Sequence, residues 1–268
     1  MPAVTVGLPV YNAERHLEEC LQSILGQTFE EFDVLAVLDA PTDRSEEILR
    51  DLADFRFRIV RNERNLGQAA CSNLILEQSK NPLIARMDSD DVMHPERIER
   101  QYRFMNEHPE IDVLGSRFDE IDDRGKTTRD PFPLPLTHEE IRATFRRMSV
   151  VHHPTVMYRR ERIRAVGGYN PERRYAEDLD LWLRCFLEGL QFANLPDVLL
   201  HYRVHHNQLM SRRLEPTLRM IDRAYATYGP GIWGAEAPDY VSGINPLHRL
   251  WRRCKRHFTG ERKVENPS

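Results

Sequence analysis

The apolar positions of this chain change period repeatedly. A short continuous run, VTVGLPV (residues 4–10), reads as a strand buried on both faces, and Leu17, Cys20, Leu21, Ile24 and Leu25 follow at helical spacing. The same pair of patterns then returns three times. DVLAVLD (33–39) precedes DRSEEILRDLADF, FRIV precedes GQAACSNLILEQS, and PLIARMD precedes PERIERQYRFMNEH, where Pro95 suits the first turn of its helix. Strands that alternate with helices imply right-handed crossovers and a parallel sheet, with ligands outside the carboxyl ends of the strands.

From residue 111 the alternation loosens. IDVLGSRF (111–118) predicts a strand, DDRGK a turn, and the proline-rich PFPLPL a connector that cannot be regular helix. HEEIRATFRRM predicts a helix, TVMYR an extended segment, and AEDLDLWLRCFLEGL a second helix with Leu179, Leu183, Phe186 and Leu190 on one stripe. The expected organisation is one α/β domain over 1–210, divided into halves at 1–110 and 111–210, and a helical extension over 211–268. In that extension YGPGIWGAEAPDYVSG reads as a break, after which Asn245 and Pro246 suit an N-cap and a first helical residue. Leu247, Leu250, Trp251, Cys254 and Phe258 then fall at helical spacing among Arg249, Arg252, Arg253, Lys255 and Arg256. Such a basic amphipathic helix (245–258) either lies on an anionic membrane surface or packs on its own domain with a solvated basic face.

Composition narrows the function classes. A net charge of −4 and a pI near 6.3 argue against nucleic acid as a partner. Cys20, Cys71, Cys185 and Cys254 are widely spaced without a C-x-x-C pair, which points to a reducing, cytoplasmic setting without a structural zinc site. Neither a signal-peptide pattern nor a run of about 18 apolar residues is present, so the expected location is cytoplasmic, with peripheral contact at the inner membrane face through the basic tail.

The candidate chemistry centres on IARMDSDDVMHPER (84–97), where an apolar run ends in Asp88, Asp90 and Asp91. Side chains at i and i+2 after a strand can point the same way, so Asp88 and Asp90 can share a hard cation such as Mg2+ or Mn2+. The same residues also fit a solvated loop that caps the next helix. They fit, too, the D-x-D-x-[VT] signature of haloacid-dehalogenase-type phosphatases, although that motif belongs to a first strand and three strand–helix units precede it here.

The order of several short motifs resembles the family 2 inverting glycosyltransferases of the GT-A fold. These are PVYNAE (9–14), VLDAPTD (37–43), NLGQAACSN (65–73), MDSDD (87–91), GGY (167–169), ED (177–178) and YRVH (202–205), and the resemblance spans residues 4–210. It implies a Rossmann-like, mostly parallel central sheet flanked by helices. It further implies metal-dependent transfer from a nucleotide diphosphate sugar, a UDP-sugar in the first instance, to a saccharide or lipid-linked acceptor in polysaccharide or cell-envelope glycan biosynthesis. Without the Q-x-x-R-W motif of processive relatives, one sugar per encounter is expected.

Carried over by position, the resemblance places Pro9, Tyr11, Asn12 and Glu14 beside the nucleotide, with Tyr11 offering a face to the base. Asp39 corresponds to a carboxylate that accepts from a uracil N–H, and Asn65, Gly67, Asn73 and Ser89 line the donor. Asp88 lies by the ribose and the metal, Asp90 is the direct metal ligand, and His205 completes the coordination. Asp178 is the general base with Glu177 beside it; Trp182 and His153 face the acceptor, or else are a core tryptophan and a hydrogen-bonded histidine. His152, His201 and His206 are competing histidines. Leu38 in place of Asp, Ala40-Pro41 in place of Gly-Ser, and Ser72 in place of Arg depart from the family pattern and weaken the choice of UDP. The alternatives are the phosphatase, with Asp88 as nucleophile, and a non-catalytic carbohydrate-binding protein.

Overall fold

The computed structural model describes residues 2–173, 176–205 and 214–234. Its first half follows the strand–helix alternation: β1 (Val4–Val10), α1 (Leu17–Leu25), β2 (Phe32–Leu38), α2 (Ser45–Leu52), β3 (Phe57–Arg61), α3 (Gln68–Gln78) and β4 (Leu83–Arg86). A two-residue β5 (Val92–Met93), α4 (Arg97–Glu107), β6 (Val113–Ile121) and β7 (Thr127–Arg129) come next. Then follow α5 (His138–Phe145), a single 3-10 turn at His153–Thr155, β8 (Met157–Arg159), α6 (Arg160–Ala165), α7 (Glu177–Leu187), β9 (Phe192–Arg203) and α8 (Leu214–Trp233).

One sheet, ordered β3-β2-β1-β4-β8-β6-β9-β5 with β7 on β6, runs through both halves. Pairing is parallel from β3 to β4 and between β6 and β9, whereas β8, β5 and β7 join antiparallel, so the second half is mixed rather than parallel. Both faces of the first strands are buried, which is why they read as unbroken apolar runs. On β2, Val34, Ala36 and Leu38 pack with α1, while Leu35 and Val37 face the cluster that contains Ile75 of α3. α3 comes so close to β1 that a Cβ on Gly7 would lie 2.7 Å from Ile75.

Two elements escape the sequence pattern. β9 contains Pro196 and Asp197, which interrupt its apolar run, yet it pairs with β6 because the register jumps from Ser116↔Leu195 to Arg117↔Val198 and steps over both residues. α8 continues through Tyr228-Gly-Pro-Gly, read from sequence as a break. Packing overrides propensity there, since Ala224, Tyr225 and Ile232 are buried in the α7 cluster and Gly231 approaches Leu187 closely. The basic segment 245–258 and His206 lie outside the described residues, and no helix among the described residues is long and apolar enough to cross a membrane.

At the carboxyl ends of β1 and β2 the chain turns through left-handed residues, Asn12 at φ 48° and Ala40 at φ 52°. Asparagine tolerates that region; alanine does not, at a cost of about 1–2 kcal/mol. Ala40→Gly is therefore expected to stabilise the protein by about 0.5–1 kcal/mol after the extra freedom of unfolded glycine is counted, a rise of roughly 1–3 °C in Tm. Thermal melting checks this, and a lower Tm would refute the strain at Ala40.

Candidate active site

The acidic loop leaves β4 at the carboxyl end of the sheet. Asp88, Asp90 and Asp91 bring carboxylate oxygens within 4.8 Å of one another. Asp91 is fully buried: its Oδ1 accepts a 2.8 Å hydrogen bond from the Arg203 amide, and its Oδ2 has no hydrogen-bond partner among the described residues. Arg203, also buried, donates through Nε to the Asp90 carbonyl and through Nη1 to the Asp122 carbonyl, both at 2.8 Å, and pairs with Glu19 at 2.5 Å. Two residues beyond, His205 places Nε2 2.9 Å from Asp90 Oδ2.

Burial raises the pKa of Asp88 and of Asp91; at Asp91 the charges of Asp90 and Asp88 raise it further, whereas at Asp88 the Arg86 guanidinium opposes the rise. A divalent cation relieves such crowding. The donor set fits one, because carboxylate oxygens suit Mg2+ or Mn2+ and an imidazole beside them is more usual for Mn2+. The buried Asp91 Oδ2, unpartnered among the described residues, is a further acceptor at the same place.

Opposite stands the first turn of α7. Glu177, Asp178 and Asp180 all lie there, where the helix dipole favours negative charge. Asp178 accepts from the Leu179 amide at 2.8 Å and its pKa is raised by burial. Glu177 is pushed up to about 7, by burial first and by the charge of Asp178 second. The helix is held from behind. Buried Asp180 pairs with Arg173 at 3.2 Å and Arg184 at 2.9 Å, and Arg184 donates to the Val166 and Gly168 carbonyls at 2.6 Å. Gly167 and Gly168, at φ 88° and 64°, form the turn that makes this contact.

Several residues assigned to ligands from sequence have other duties. Asn73 uses both ends of its amide, at 2.8 Å each, to clamp the backbone of Tyr169, so it docks the GGY turn onto α3. Trp182 is fully buried against His153 and Phe192, and His153 is buried with Nε2 2.9 Å from the Tyr169 hydroxyl. Burial pulls the His153 pKa well below its usual range. Of the two readings of these residues, their burial agrees with a core tryptophan and a hydrogen-bonded histidine. Pro9 is buried within β1, past Gly7, where the ladder to β4 has ended.

Asp39 is only 3% exposed. Its carboxylate receives Asn62 Nδ2, the Leu66 amide and the Gly67 amide, all at 2.8 Å, so it organises the loop before α3. A base would meet it only at the remaining acceptor position of Oδ2. Gly67, at φ 88° and ψ 168°, adopts a conformation that glycine alone takes readily. Asn12 and Glu14 join the first turn to the second, through the Thr42 and Arg44 amides respectively. Tyr11 is 49% exposed and Asn65 is exposed on the same edge, while Ser89 is half-buried in the acidic loop. His201 lies opposite Val92 in the β5–β9 ladder, and its Nδ1 is 2.6 Å from Asp119 Oδ1.

The model of glycosyl transferase family 2 matches residues 5–167, more than half of the chain. The chain belongs to this family. It is 34% identical over 213 residues to the amylovoran biosynthesis glycosyltransferase AmsE of Erwinia amylovora, covering 78% of this chain and 79% of that protein. It is 29% identical over 224 residues to the O-antigen biosynthesis glycosyltransferase WbnJ of Escherichia coli, covering 79% and 83%. Among solved structures, S. aureus TarS 1–349 in complex with UDP-GlcNAc aligns with a TM-score of 0.67 at 21% identity, over 98% of this chain and 74% of that one. The mannosyltransferase PcManGT from Pyrobaculum calidifontis, in complex with GDP-Man and Mn2+, aligns with a TM-score of 0.65 at 16% identity, over 97% and 81%.

These structural likenesses establish the GT-A fold, and membership of family 2 makes the chain a glycosyltransferase with relatives in polysaccharide biosynthesis. The phosphatase and the non-catalytic readings are set aside. Two residues at this glycosyltransferase site were missed from sequence. Gln68 lies 3.3 Å from Asp88 Oδ1, and Arg86, 2% exposed, lies 2.5 Å from the same oxygen. The visible signal for Arg86 was a charged residue inside an apolar strand run.

The carboxyl pair gives a pH-dependent stability. Glu177 titrates near 7 in the folded protein against an ordinary 4.5, so the folded form holds the extra proton between those values and stability falls as pH rises through them. In EDTA, Glu177→Gln should raise Tm above pH 7 and leave it unchanged at about pH 4.5 and below. A Tm difference independent of pH would disprove the shift.

Proposed function

We propose that this glycosyltransferase is a divalent-cation-dependent, inverting enzyme. It moves a sugar from a nucleotide diphosphate sugar, with UDP the first candidate, to a saccharide or lipid-linked acceptor during polysaccharide or cell-envelope glycan assembly. The observation that carries this is the presence of two clusters with different duties. Asp88, Asp90 and His205 gather at the end of β4, and Glu177 and Asp178 stand on the first turn of α7.

Asp90 and His205 would hold the cation, with Asp88 at its side and Asp91 Oδ2 within reach. When bound, the cation neutralises charge that develops on the departing diphosphate. Tyr11 and the turns at residues 12–14 and 39–43 form the edge that receives the nucleoside. Asp178 accepts the proton of the acceptor hydroxyl as that oxygen bonds to the anomeric carbon and the bond from that carbon to the diphosphate oxygen breaks on the opposite face. Inversion follows from this in-line geometry. Burial raises the pKa of Asp178, which strengthens it as a base, while the Leu179 amide and the helix N-terminus act in the opposite sense and favour its ionised form.

The complexes of TarS with UDP-GlcNAc and of PcManGT with GDP-Man and Mn2+ support a nucleotide sugar and a metal without fixing which nucleotide this chain takes. Calorimetry with UDP and GDP, with and without Mn2+, distinguishes them. Asp90→Ala is expected to weaken cation-dependent nucleotide binding by at least about 10-fold, the scale of one lost charge-assisted contact; binding indifferent to both Mn2+ and Asp90 would remove the metal site. Asp178→Asn should lower transfer by about 100-fold or more while donor affinity holds, and retained turnover would dismiss Asp178 as the base.

A further inference from the structure

Three buried arginines surround the acidic loop, and they do different things. Arg97 directs Nη2 to the Arg86 carbonyl at 2.7 Å and Nε to Gln101 at 3.1 Å. Arg203 serves the Asp90 and Asp122 carbonyls and Glu19. Both are braces whose donors find backbone or neutral acceptors, or an acid outside the cluster. Arg86 instead aims its charge at the cluster, with Nη2 2.5 Å from Asp88 Oδ1. That contact is an ion pair rather than an aligned hydrogen bond, and none of the three Arg86 guanidinium nitrogens has a hydrogen-bond partner among the described residues. A buried guanidinium kept only as a brace would be saturated like the other two, because unpaired buried donors are costly.

We propose that Arg86 is an internal counter-ion of the acidic loop, a positioning residue that holds Asp88 in place and sets how tightly the loop takes a divalent cation. The inference rests on the cation-dependent reading above. A fixed positive charge in contact with one carboxylate of the cluster repels a second cation at short range and low dielectric. It also keeps the three neighbouring aspartates compatible with a folded loop whether or not nucleotide is present. The loop therefore takes the metal weakly by itself, and a nucleoside diphosphate, which brings its own negative charge, tightens it.

The test is a Mn2+ titration of nucleotide-free protein, read by the electron paramagnetic resonance signal of free Mn2+, together with thermal melts in EDTA. Arg86→Gln should bind Mn2+ about 10-fold more tightly than the parent, the scale of one unit of electrostatic interaction, and should melt lower in EDTA. Arg86→Lys, which keeps the charge, should stay near the parent in Mn2+ affinity. Unchanged or weaker binding by Arg86→Gln overturns the proposal.

If Arg86→Gln does not fold, the pairing is decided in the Asp88→Asn background. There the guanidinium has lost its partner carboxylate, so the double variant Asp88→Asn/Arg86→Gln should melt above Asp88→Asn alone; a lower Tm for the double variant overturns the counter-ion. Should the parent take up no Mn2+ even with UDP or GDP, the cation-dependent reading fails separately, and the melting comparison still judges the Arg86–Asp88 pair.

Discussion

The hydrogen bond from the Arg203 amide to the buried Asp91 carboxylate spans 112 residues of sequence and makes the end of β9 and the acidic loop a single object. His205, two residues further on, is thereby carried to Asp90. The Arg203 side chain repeats the tie, reaching the Asp90 carbonyl, the Asp122 carbonyl and Glu19 of α1. Three segments that separately could adopt many loop conformations are thereby reduced to one. The cost is a buried carboxylate with one oxygen unpartnered among the described residues, which is tolerable where a cation or a proton can meet it.

The other side of the site is held by an analogous device of opposite sign. Asp180 on α7 fixes Arg184, Arg184 fixes the turn at Gly167 and Gly168, and Asn73 on α3 fixes Tyr169 at the end of that turn. Each link is a charge-assisted or doubled hydrogen bond away from solvent, where such contacts keep their strength. Glu177 and Asp178 can then be half-buried and poorly partnered, because residues one turn away carry the positional load. The perturbed pKa of Glu177 is a consequence of this division of labour.

Much of the first half was legible in the sequence. The unbroken apolar strands, the helices between them and the place of the DSDD loop after the fourth strand all follow from local periodicity, and strand ends fix where ligands approach. The second half was less so. β9 hid behind Pro196 and Asp197 because a register jump in the pairing with β6, a property of two strands and not of one, absorbs both residues. α8 ran through Gly-Pro-Gly because the surface of α7 rewards close approach more than propensity penalises it.

By itself the sequence determined the fold class, the order of the motifs and the kinds of side chain that each motif supplies, since these depend on local pattern and on residue chemistry. The tertiary structure decided which of those side chains are available. Asn73, Trp182 and His153 matched motif positions yet are held in clamps and core, while Arg86, an unremarked interruption of a strand, stands against the first aspartate of the loop. Burial and the partner across the fold settle such roles, and both are set by contacts between segments far apart in the chain.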